Sequence, residues 1–253
     1  MNVYEITFSP TGGTNRVTHL LTSSLGGKTS TIDLTDYKTD FHRIALTKED
    51  LAVISVPSFG GRVPATAVQR LTMLQGNGAC AVLVCVYGNR AYEDTLVELQ
   101  DAAKQAGFHV VAAVAAIAEH SIAHQFAAGR PDDLDARKLS QFAAQIQSKL
   151  SAGDASEPAI PGNRPYKKAG GTGMVPKPTK DCVQCGACAA GCPVQAIDKA
   201  NPKNVDDKAC ISCMRCISLC PHDARKVNPL MLAAVGVALK KVCSSRKECE
   251  LFI

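Results

Sequence analysis

Residues 182–193 read CVQCGACAAGCP, and residues 210–221 read CISCMRCISLCP. Both stretches have the pattern Cys-x-x-Cys-x-x-Cys-x-x-x-Cys-Pro, and the second begins 28 residues after the first. Eight thiolates at this spacing suit two 4Fe–4S clusters, because each cluster takes four soft sulfur ligands. A zinc site would need only four ligands, and a disulfide framework would need an oxidising compartment. The repeat therefore predicts electron transfer.

The cysteine pattern also predicts how the ligands are shared. In this motif three closely spaced cysteines surround one cluster, and the cysteine before proline reaches the other. The two ligand sets are therefore expected to be crossed. One set is Cys182, Cys185, Cys188 and Cys220, and the other is Cys192, Cys210, Cys213 and Cys216.

Residues 176–227 resemble the bacterial-type two-cluster ferredoxins. The resemblance rests on the two cysteine repeats, on their Cys-Pro pairs, and on Ala196 and Ala224, which follow them. One departure is Arg225, which stands where the first repeat has Ile197. In that family the position packs near a cluster, so the departure predicts a second cluster that is more solvated or faces a partner.

Charge is divided unevenly along the chain. Residues 1–150 carry 13 Lys/Arg and 14 Asp/Glu, whereas residues 176–253 carry 12 and 7. Each thiolate-ligated cluster adds about −2 in its oxidised form, so the surplus of +5 would roughly neutralise two clusters. Nucleic acid is not the expected partner, because no aromatic or basic recognition motif accompanies the charge.

The first 150 residues predict a parallel α/β sheet. Short apolar runs alternate with stretches of helical spacing, and three of the runs are apolar throughout, as in strands that are buried on both faces. The predicted strands are 2–8, 29–33, 51–56, 79–86 and 110–118, and the predicted helices are 16–24, 63–74, 93–106 and 131–150.

The first predicted strand runs into a turn that is rich in hydroxyl groups and glycine, Ser9-Pro10-Thr11-Gly12-Gly13-Thr14. Backbone N–H groups at the start of the following helix suit an anion, and the hydroxyl groups can donate further hydrogen bonds. The turn is neither a Walker A loop nor the Gly-x-Gly-x-x-Gly dinucleotide fingerprint. An ordinary capped helix is the alternative.

This turn resembles the phosphate loop of the flavodoxin family, which has the form Ser/Thr-x-Thr-Gly-x-Thr and binds FMN. Two further loops follow the third and fourth predicted strands, at the sheet edge where such folds bind ligands. The resemblance implies that Ser9, Thr11, Gly12, Gly13 and Thr14 hold the FMN phosphate. It implies that Pro57, Ser58, Phe59, Gly60 and Gly61 lie along the flavin ring, and that Tyr87, Gly88, Asn89, Arg90 and Tyr92 form its other wall. The chain has no Trp, so Phe59 and Tyr92 are the candidates for stacking.

The two resemblances cover nearly the whole chain, which therefore resembles the flavodoxin–ferredoxin fusion proteins of anaerobic bacteria. The implied fold is α/β, with a flavodoxin-like, doubly wound, five-stranded parallel sheet and a small α+β two-cluster ferredoxin domain. The predicted domains are 1–150 (FMN-binding), 176–227 (ferredoxin) and 228–253 (terminal helix and tail). Residues 151–175, which are rich in Pro, Gly and Lys, form the predicted linker. Within it, residues 162–168 could hold the linker against the surface of a domain.

Other cysteines and histidines receive weaker interpretations. Cys80 and Cys85 lie in an apolar run and are interpreted as core residues. Cys243 and Cys249 are interpreted as inert thiols, with a redox role as the alternative. His120 follows the fifth predicted strand, where it either moves protons near the cofactor or only packs under the linker.

Two functions remain open at this stage. The first is an electron carrier that passes electrons between FMN and two 4Fe–4S clusters for a redox partner protein. The second is an FMN-dependent reductase of a small molecule, fed by its own clusters. No targeting signal and no run of about 20 apolar residues is present, which predicts a cytoplasmic protein without a membrane span.

Overall fold

The computed structural model describes residues 2–170 and 173–253. In the first part strands and helices alternate, and a short 3₁₀ helix, Phe41–Arg43, separates the second and third strands. All the predicted strands and helices form there. They are β1 Asn2–Thr7, α1 Gly13–Thr22, β2 Lys28–Asp33, β3 Leu51–Pro57, α2 Ala65–Leu71, β4 Cys80–Tyr87, α3 Thr95–Gln105, β5 His109–Ile117 and α4 Asp133–Ser151.

Five strands form a parallel sheet in the order β2-β1-β3-β4-β5. This is the flavodoxin-like order of a doubly wound sheet, with its switch point between β1 and β3. The predicted fold class is therefore confirmed. Strands β3, β4 and β5 are buried almost throughout, whereas the polar edge strand β2 buries mainly Ile32. The loops after β1, β3 and β4 leave the sheet at the same edge.

The cysteine-rich part is small and shows the sequence repeat in its backbone. Its elements are the paired strands β6 Lys177–Pro178 and β7 Arg225–Lys226, with the short helices α5 Ala187–Ala190 and α6 Arg215–Ser218 between them. Three pairs of residues with left-handed backbone recur with the same 28-residue offset as the cysteines. They are Gln184 and Ser212, Gly186 and Met214, and Gln195 and Asp223. The two repeats therefore fold alike, as the predicted ferredoxin-type region requires.

The C-terminal segment returns to the sheet, which the sequence pattern does not predict. After α7 Pro229–Cys243, the strand β8 Glu250–Phe252 pairs antiparallel with β5, with Val114 opposite Leu251. The sheet thus has six strands rather than the five predicted. No helix within residues 2–170 and 173–253 combines the length and apolarity that crossing a membrane requires.

The segment after α4 lies along α3. Glu157 contacts Lys104 near the end of α3, whereas Asn163 and Lys167 bind Asp94 at its start. The segment therefore runs from the far edge of the sheet to the edge that carries the three loops. The predicted linker 151–175 includes residues 171 and 172, and the predicted domain 1–150 includes residue 1. These three residues lie outside the described ones, and the domain boundaries stay predictions.

Candidate cluster and flavin sites

The eight repeat cysteines line two separate cavities. We call the cavity lined by Cys192, Cys210, Cys213 and Cys216 the inner cavity, and the one lined by Cys182, Cys185, Cys188 and Cys220 the outer cavity. Each cavity takes three cysteines from one repeat and the cysteine before proline from the other. This grouping has the same composition as the two crossed ligand sets expected from the sequence.

The surroundings of the cysteines suit thiolates that hold a cluster. The backbone N–H groups of Ala196 and Ala224 each donate to the sulfur four residues earlier, Cys192 and Cys220, over 3.3 Å. Such donors stabilise negative charge on the sulfur and tune cluster potentials. Burial raises the pKa of the free Cys213 thiol to about 11 and that of Cys216 to about 12. Buried apolar residues, among them Ala196, Ile197 and Met214, also line the inner cavity.

The four cysteines of each cavity are not grouped around a point that one metal ion could occupy. Within residues 2–170 and 173–253, no three His, Cys, Asp or Glu side chains are grouped as ligands of one ion, although four cysteines line each cavity. A zinc ion holds its sulfurs about 2.3 Å from one centre, whereas a 4Fe–4S cluster spreads its four ligands around a cube. The four cysteines that line each cavity match the four sulfur ligands that a 4Fe–4S cluster takes, so the residues fit this cofactor.

Arg225 lies between the two cavities and lines both of them. Its side chain is among the largest fully buried ones, with 2% of the residue exposed. The sequence led us to expect a second cluster that is more solvated or faces a partner, and this stays a prediction, whereas the Arg225 side chain itself is buried. The guanidinium donates to the carbonyl oxygens of Pro176 and Pro202.

The loop after β1 has the geometry of a helix N-terminus that is open to an anion. Gly12 precedes α1 with a φ of 89°, which favours glycine, and no acidic side chain occupies the first turn. The Ser9 hydroxyl accepts the Asn15 N–H over 3.0 Å. A Cβ on Gly13 would lie 3.3 Å from the Cβ of Ala118, so this loop packs closely against the end of β5.

The loop after β3 is a tight turn. Phe59 and Arg62 exchange two backbone hydrogen bonds of 2.9 and 3.2 Å, and Gly60 and Gly61 between them have φ values of 62° and 85°. A Cβ on Gly61 would lie 1.8 Å from the Glu93 carboxylate, so the turn requires glycine. Phe59 is half-buried at the tip, next to exposed Gly60.

Ser58 and Pro57 lie at the base of that turn. The Ser58 hydroxyl is 2.7 Å from the Thr95 hydroxyl, and the Ser58 N–H donates to the Val86 carbonyl. Ser58 thereby ties the turn to β4 and α3, while Pro57 ends β3.

In the loop after β4, several side chains face the C-terminal segment. The Asn89 amide donates to the carbonyls of Cys243 and Ser245, both over 2.8 Å, and the Tyr92 hydroxyl donates to Glu250 over 2.6 Å. Tyr87 is buried edge-to-face against Tyr92, with ring centroids 5.2 Å apart. Asn89 and Tyr92 therefore bind the C-terminal segment, while Tyr87 packs on Tyr92. The role of these three residues as a flavin wall stays a prediction.

The remaining members of the loop have local partners. Arg90 pairs with Glu93 over 2.9 Å. Gly88 lets the His120 ring approach, because a Cβ there would lie 2.7–2.8 Å from ring atoms. The His120 Nδ1 accepts the N–H groups of Ile122 and Ala123 over 3.2 and 3.1 Å. His120 therefore caps a turn while lying against the third loop.

The last two cysteines are buried in the same region. Cys243 lies near the Gly88 carbonyl, and Cys249 lies near Asp135. Burial raises the pKa of both thiols, that of Cys249 to about 11. A raised pKa lowers the thiolate fraction and hence reactivity, so the geometry favours inert thiols.

The cysteine-rich part is docked onto the loop after β1, a contact that the sequence does not reveal. Arg215 donates to the Gly191 carbonyl over 2.9 Å and to the Pro10 carbonyl over 3.2 Å. Arg70 of α2 donates to the Pro193 carbonyl over 2.6 Å. The side chain of Ile211, which lines the inner cavity, packs against the core of the sheet domain. The inner cavity therefore adjoins the first predicted flavin loop.

Comparison with known proteins agrees with this description of the cysteine-rich part. Residues 181–224 match the family model of the 4Fe-4S dicluster domain. A 71-residue stretch is 31% identical to the polyferredoxin protein MvhB of Methanothermus fervidus, and it spans 28% of this chain but only 17% of that protein.

Solved structures that resemble the chain include two flavodoxins. The Streptococcus pneumonia TIGR4 flavodoxin is 16% identical with a TM-score of 0.42, and the match covers 59% of this chain and 99% of that one. A flavodoxin from the domain Archaea is 14% identical with a TM-score of 0.40, covering 60% and 99%.

Proposed function

Because the chain joins a flavodoxin-like domain to a 4Fe-4S dicluster domain, in the arrangement of flavodoxin–ferredoxin fusion proteins, we propose that it is a single-chain redox relay. The relay passes electrons between FMN and two 4Fe–4S clusters and exchanges them with a redox partner protein. The observation that carries the proposal is the docking of the inner cavity on the loop after β1, through Arg215 and Ile211.

In this proposal the chain's own residues hold the flavin phosphate. The N–H groups at the start of α1 and the hydroxyls of Thr11 and Thr14 bind it without a cationic side chain, and Gly12 shapes the turn. The glycines of the turn after β3 let the backbone approach a planar ring closely. When bound, a flavin exchanges electrons in pairs or singly, and an iron–sulfur cluster exchanges them singly.

The two cavities have different positions in the relay. The inner cavity adjoins the sheet domain, because Ile211, which lines the cavity, packs against the core of that domain. The outer cavity faces solvent, since Cys185 is exposed and Val183 beside it is 61% exposed. Electrons therefore pass between flavin and partner through the inner site and then the outer one.

Anaerobic purification with cofactor analysis tests the proposal. We expect about eight iron atoms and eight acid-labile sulfides per chain from the eight-cysteine count, together with one FMN and no FAD. Four iron atoms per chain, or tightly retained FAD, would contradict it.

A cysteine variant tests the crossed ligand sets. Cys192→Ala should damage the cluster whose other ligands are Cys210, Cys213 and Cys216, as resolved by EPR of the reduced protein. Cys80→Ala, in β4 and outside the repeats, is the matched control and should keep both signals. Loss of the other cluster in Cys192→Ala would show that the sets are not crossed.

A second candidate function is an FMN-dependent reductase with its own small-molecule substrate. An open surface depression of about 490 Å³ favours it, because its lining includes Asn89 of the third loop together with Gln125, Lys240 and Ser244. Cavities of this size hold small molecules. The two functions differ in flavin oxidation. In a relay, Cys192→Ala should abolish electron transfer from reduced flavin to the redox partner protein, whereas in a reductase the reduced flavin would still be oxidised by the small-molecule substrate.

A further inference from the structure

Arg225 is a buried cation that forms no salt bridge within residues 2–170 and 173–253. Its guanidinium donates to the carbonyl oxygens of Pro176 and Pro202. Asp223, the acidic residue nearest to Arg225 in the sequence, pairs with Lys226 instead. A buried arginine stays protonated, and an unpaired buried charge is costly. Thiolate-ligated clusters, each with a charge of about −2 in the oxidised form, would supply the offsetting negative charge.

The position of Arg225 relates its charge to both cavities. The side chain lines the inner cavity together with Pro176 and the outer cavity together with Pro202. One of the two carbonyl groups that hold the guanidinium therefore belongs to the inner cavity, and the other belongs to the outer cavity. Ile197, the matching residue of the first repeat, lines only the inner cavity and carries no charge. Of the two matching residues, only Arg225 carries a charge, and both cavities share that charge.

We propose that Arg225 is a positioning residue that raises the reduction potentials of both clusters at once. This inference rests on the two clusters of the proposed function. Each one-electron reduction, with the electron supplied by the flavin or the partner, adds one negative charge to a cavity. A fixed positive charge beside the cavity stabilises that added charge, and it does so more strongly when the charge is buried, as Arg225 is, than when it is in water. Because Arg225 lines both cavities, both reductions are favoured.

The test is a redox titration of the anaerobically purified full chain, monitored by EPR so that the two clusters are followed separately. In Arg225→Gln, which removes the charge and keeps hydrogen-bond donors, both potentials should fall. We expect the equilibrium constant for reduction of each cluster to drop at least about tenfold, which is about 59 mV for a one-electron couple. Arg225→Lys keeps the charge and should stay close to the unmodified protein.

Lys226→Gln is the matched control. It removes the same unit of charge from the next residue, whose side chain is 57% exposed and paired with Asp223. Solvent screening makes such a surface charge weak, so both potentials should stay close to their original values.

Four other results have defined meanings. Unchanged potentials in Arg225→Gln with eight iron atoms bound would overturn the inference and leave the proposed function standing. A shift of only one cluster would overturn the sharing of the cation. If Arg225→Gln lost iron while Arg225→Lys kept it, the charge would be shown to hold the clusters, whereas equal loss in both variants would make Arg225 a structural brace and overturn the inference.

Discussion

Thr14 lies in the first turn of α1, next to the backbone N–H groups that the proposal assigns to the FMN phosphate, and it is only 4% exposed. Thr14→Val keeps the shape and removes one hydroxyl donor. Loss of one hydrogen bond to a charged group should weaken FMN binding by about 1–2 kcal/mol, or about 5- to 30-fold in Kd. Fluorescence titration of the apoflavoprotein with FMN measures this change in Kd.

Thr18→Val is the matched control for that experiment. Thr18 lies one turn further along α1, is fully buried, and donates its hydroxyl to the Thr14 carbonyl. The change should cost stability and leave FMN affinity as it was. Equal affinities in all three proteins would remove Thr14 from the phosphate site.

His120 illustrates a second effect at the residue scale, because its environment determines its charge. Burial lowers the pKa of its imidazole below the usual 6.5, and its Nδ1 already accepts two N–H groups. The unfolded chain then binds the proton more readily than the folded one. The contribution of His120 to stability is therefore complete above pH 6.5 and is lost as the pH falls toward the folded pKa.

Two measurements check this prediction. An NMR titration of the His120 ring should give a pKa below 6.5, and His120→Asn should make the free energy of unfolding less dependent on pH between 7.5 and 5.5. His42→Asn, at an exposed site, is the control. A His120 pKa at or above 6.5 would contradict the burial argument.

At the scale of elements, the segment after α4 is held to α3 mainly through Asp94. This carboxylate is 2% exposed and accepts the N–H groups of Asn163 and Lys167 over 2.9 and 2.7 Å, and the Asn163 amide over 3.0 Å. Hydrogen bonds from these donors, chiefly the Lys167 N–H, lower its pKa. The carboxylate is therefore charged at neutral pH when it binds the linker.

Replacing Asp94 should release the linker. Asp94→Ala leaves three donors without their acceptor, which costs about 1–3 kcal/mol, so cleavage by trypsin after Lys167 and Lys168 should become faster. Asp133→Ala, at an exposed position in α4, should digest like the unmodified protein. Unchanged cleavage in Asp94→Ala would mean that Arg164 and Tyr166, which bind Asp101, suffice to hold the linker.

At the scale of the whole molecule, one side chain links the two cofactor regions. Arg215 reaches from the Gly191 carbonyl, beside the inner cavity, to the Pro10 carbonyl in the loop after β1. Hydrogen bonds from a charged donor contribute about 1.5–3 kcal/mol. Arg215→Met should therefore loosen the docking and lower hydrogen-exchange protection of residues 9–15 about ten- to hundredfold.

Two observations would decide this prediction. Iron and FMN contents should stay the same in Arg215→Met, because the arginine binds neither cofactor in the proposal. Arg43→Met, which removes an exposed arginine paired with Asp40, should leave protection of the loop intact. If Arg215→Met kept full protection, Arg70 and Ile211 would carry the docking between them.

Local patterns alone determined much of this protein. The five parallel strands follow from apolar runs that alternate with helical spacing, because burial on both faces requires such runs. The grouping of Cys192 with Cys210, Cys213 and Cys216 follows from spacing, since a repeated motif folds alike in both copies. The turn before α1 follows from its glycine and hydroxyl residues. Each of these features depends on neighbours within a few residues or on an exact repeat.

Tertiary structure decided what those patterns leave open. Four features join segments that are distant in the sequence. They are the burial of Arg225, the hydrogen bond from Arg215 to Pro10 across 205 positions of sequence, the hydrogen bonds from Asn89 to the C-terminal segment, and the pairing of β8 with β5. The sequence alone does not distinguish an exposed arginine from a buried arginine that donates to two carbonyl groups. The partners of such a group are determined by how separate elements pack, because its stabilisation comes from atoms that only the folded chain brings together.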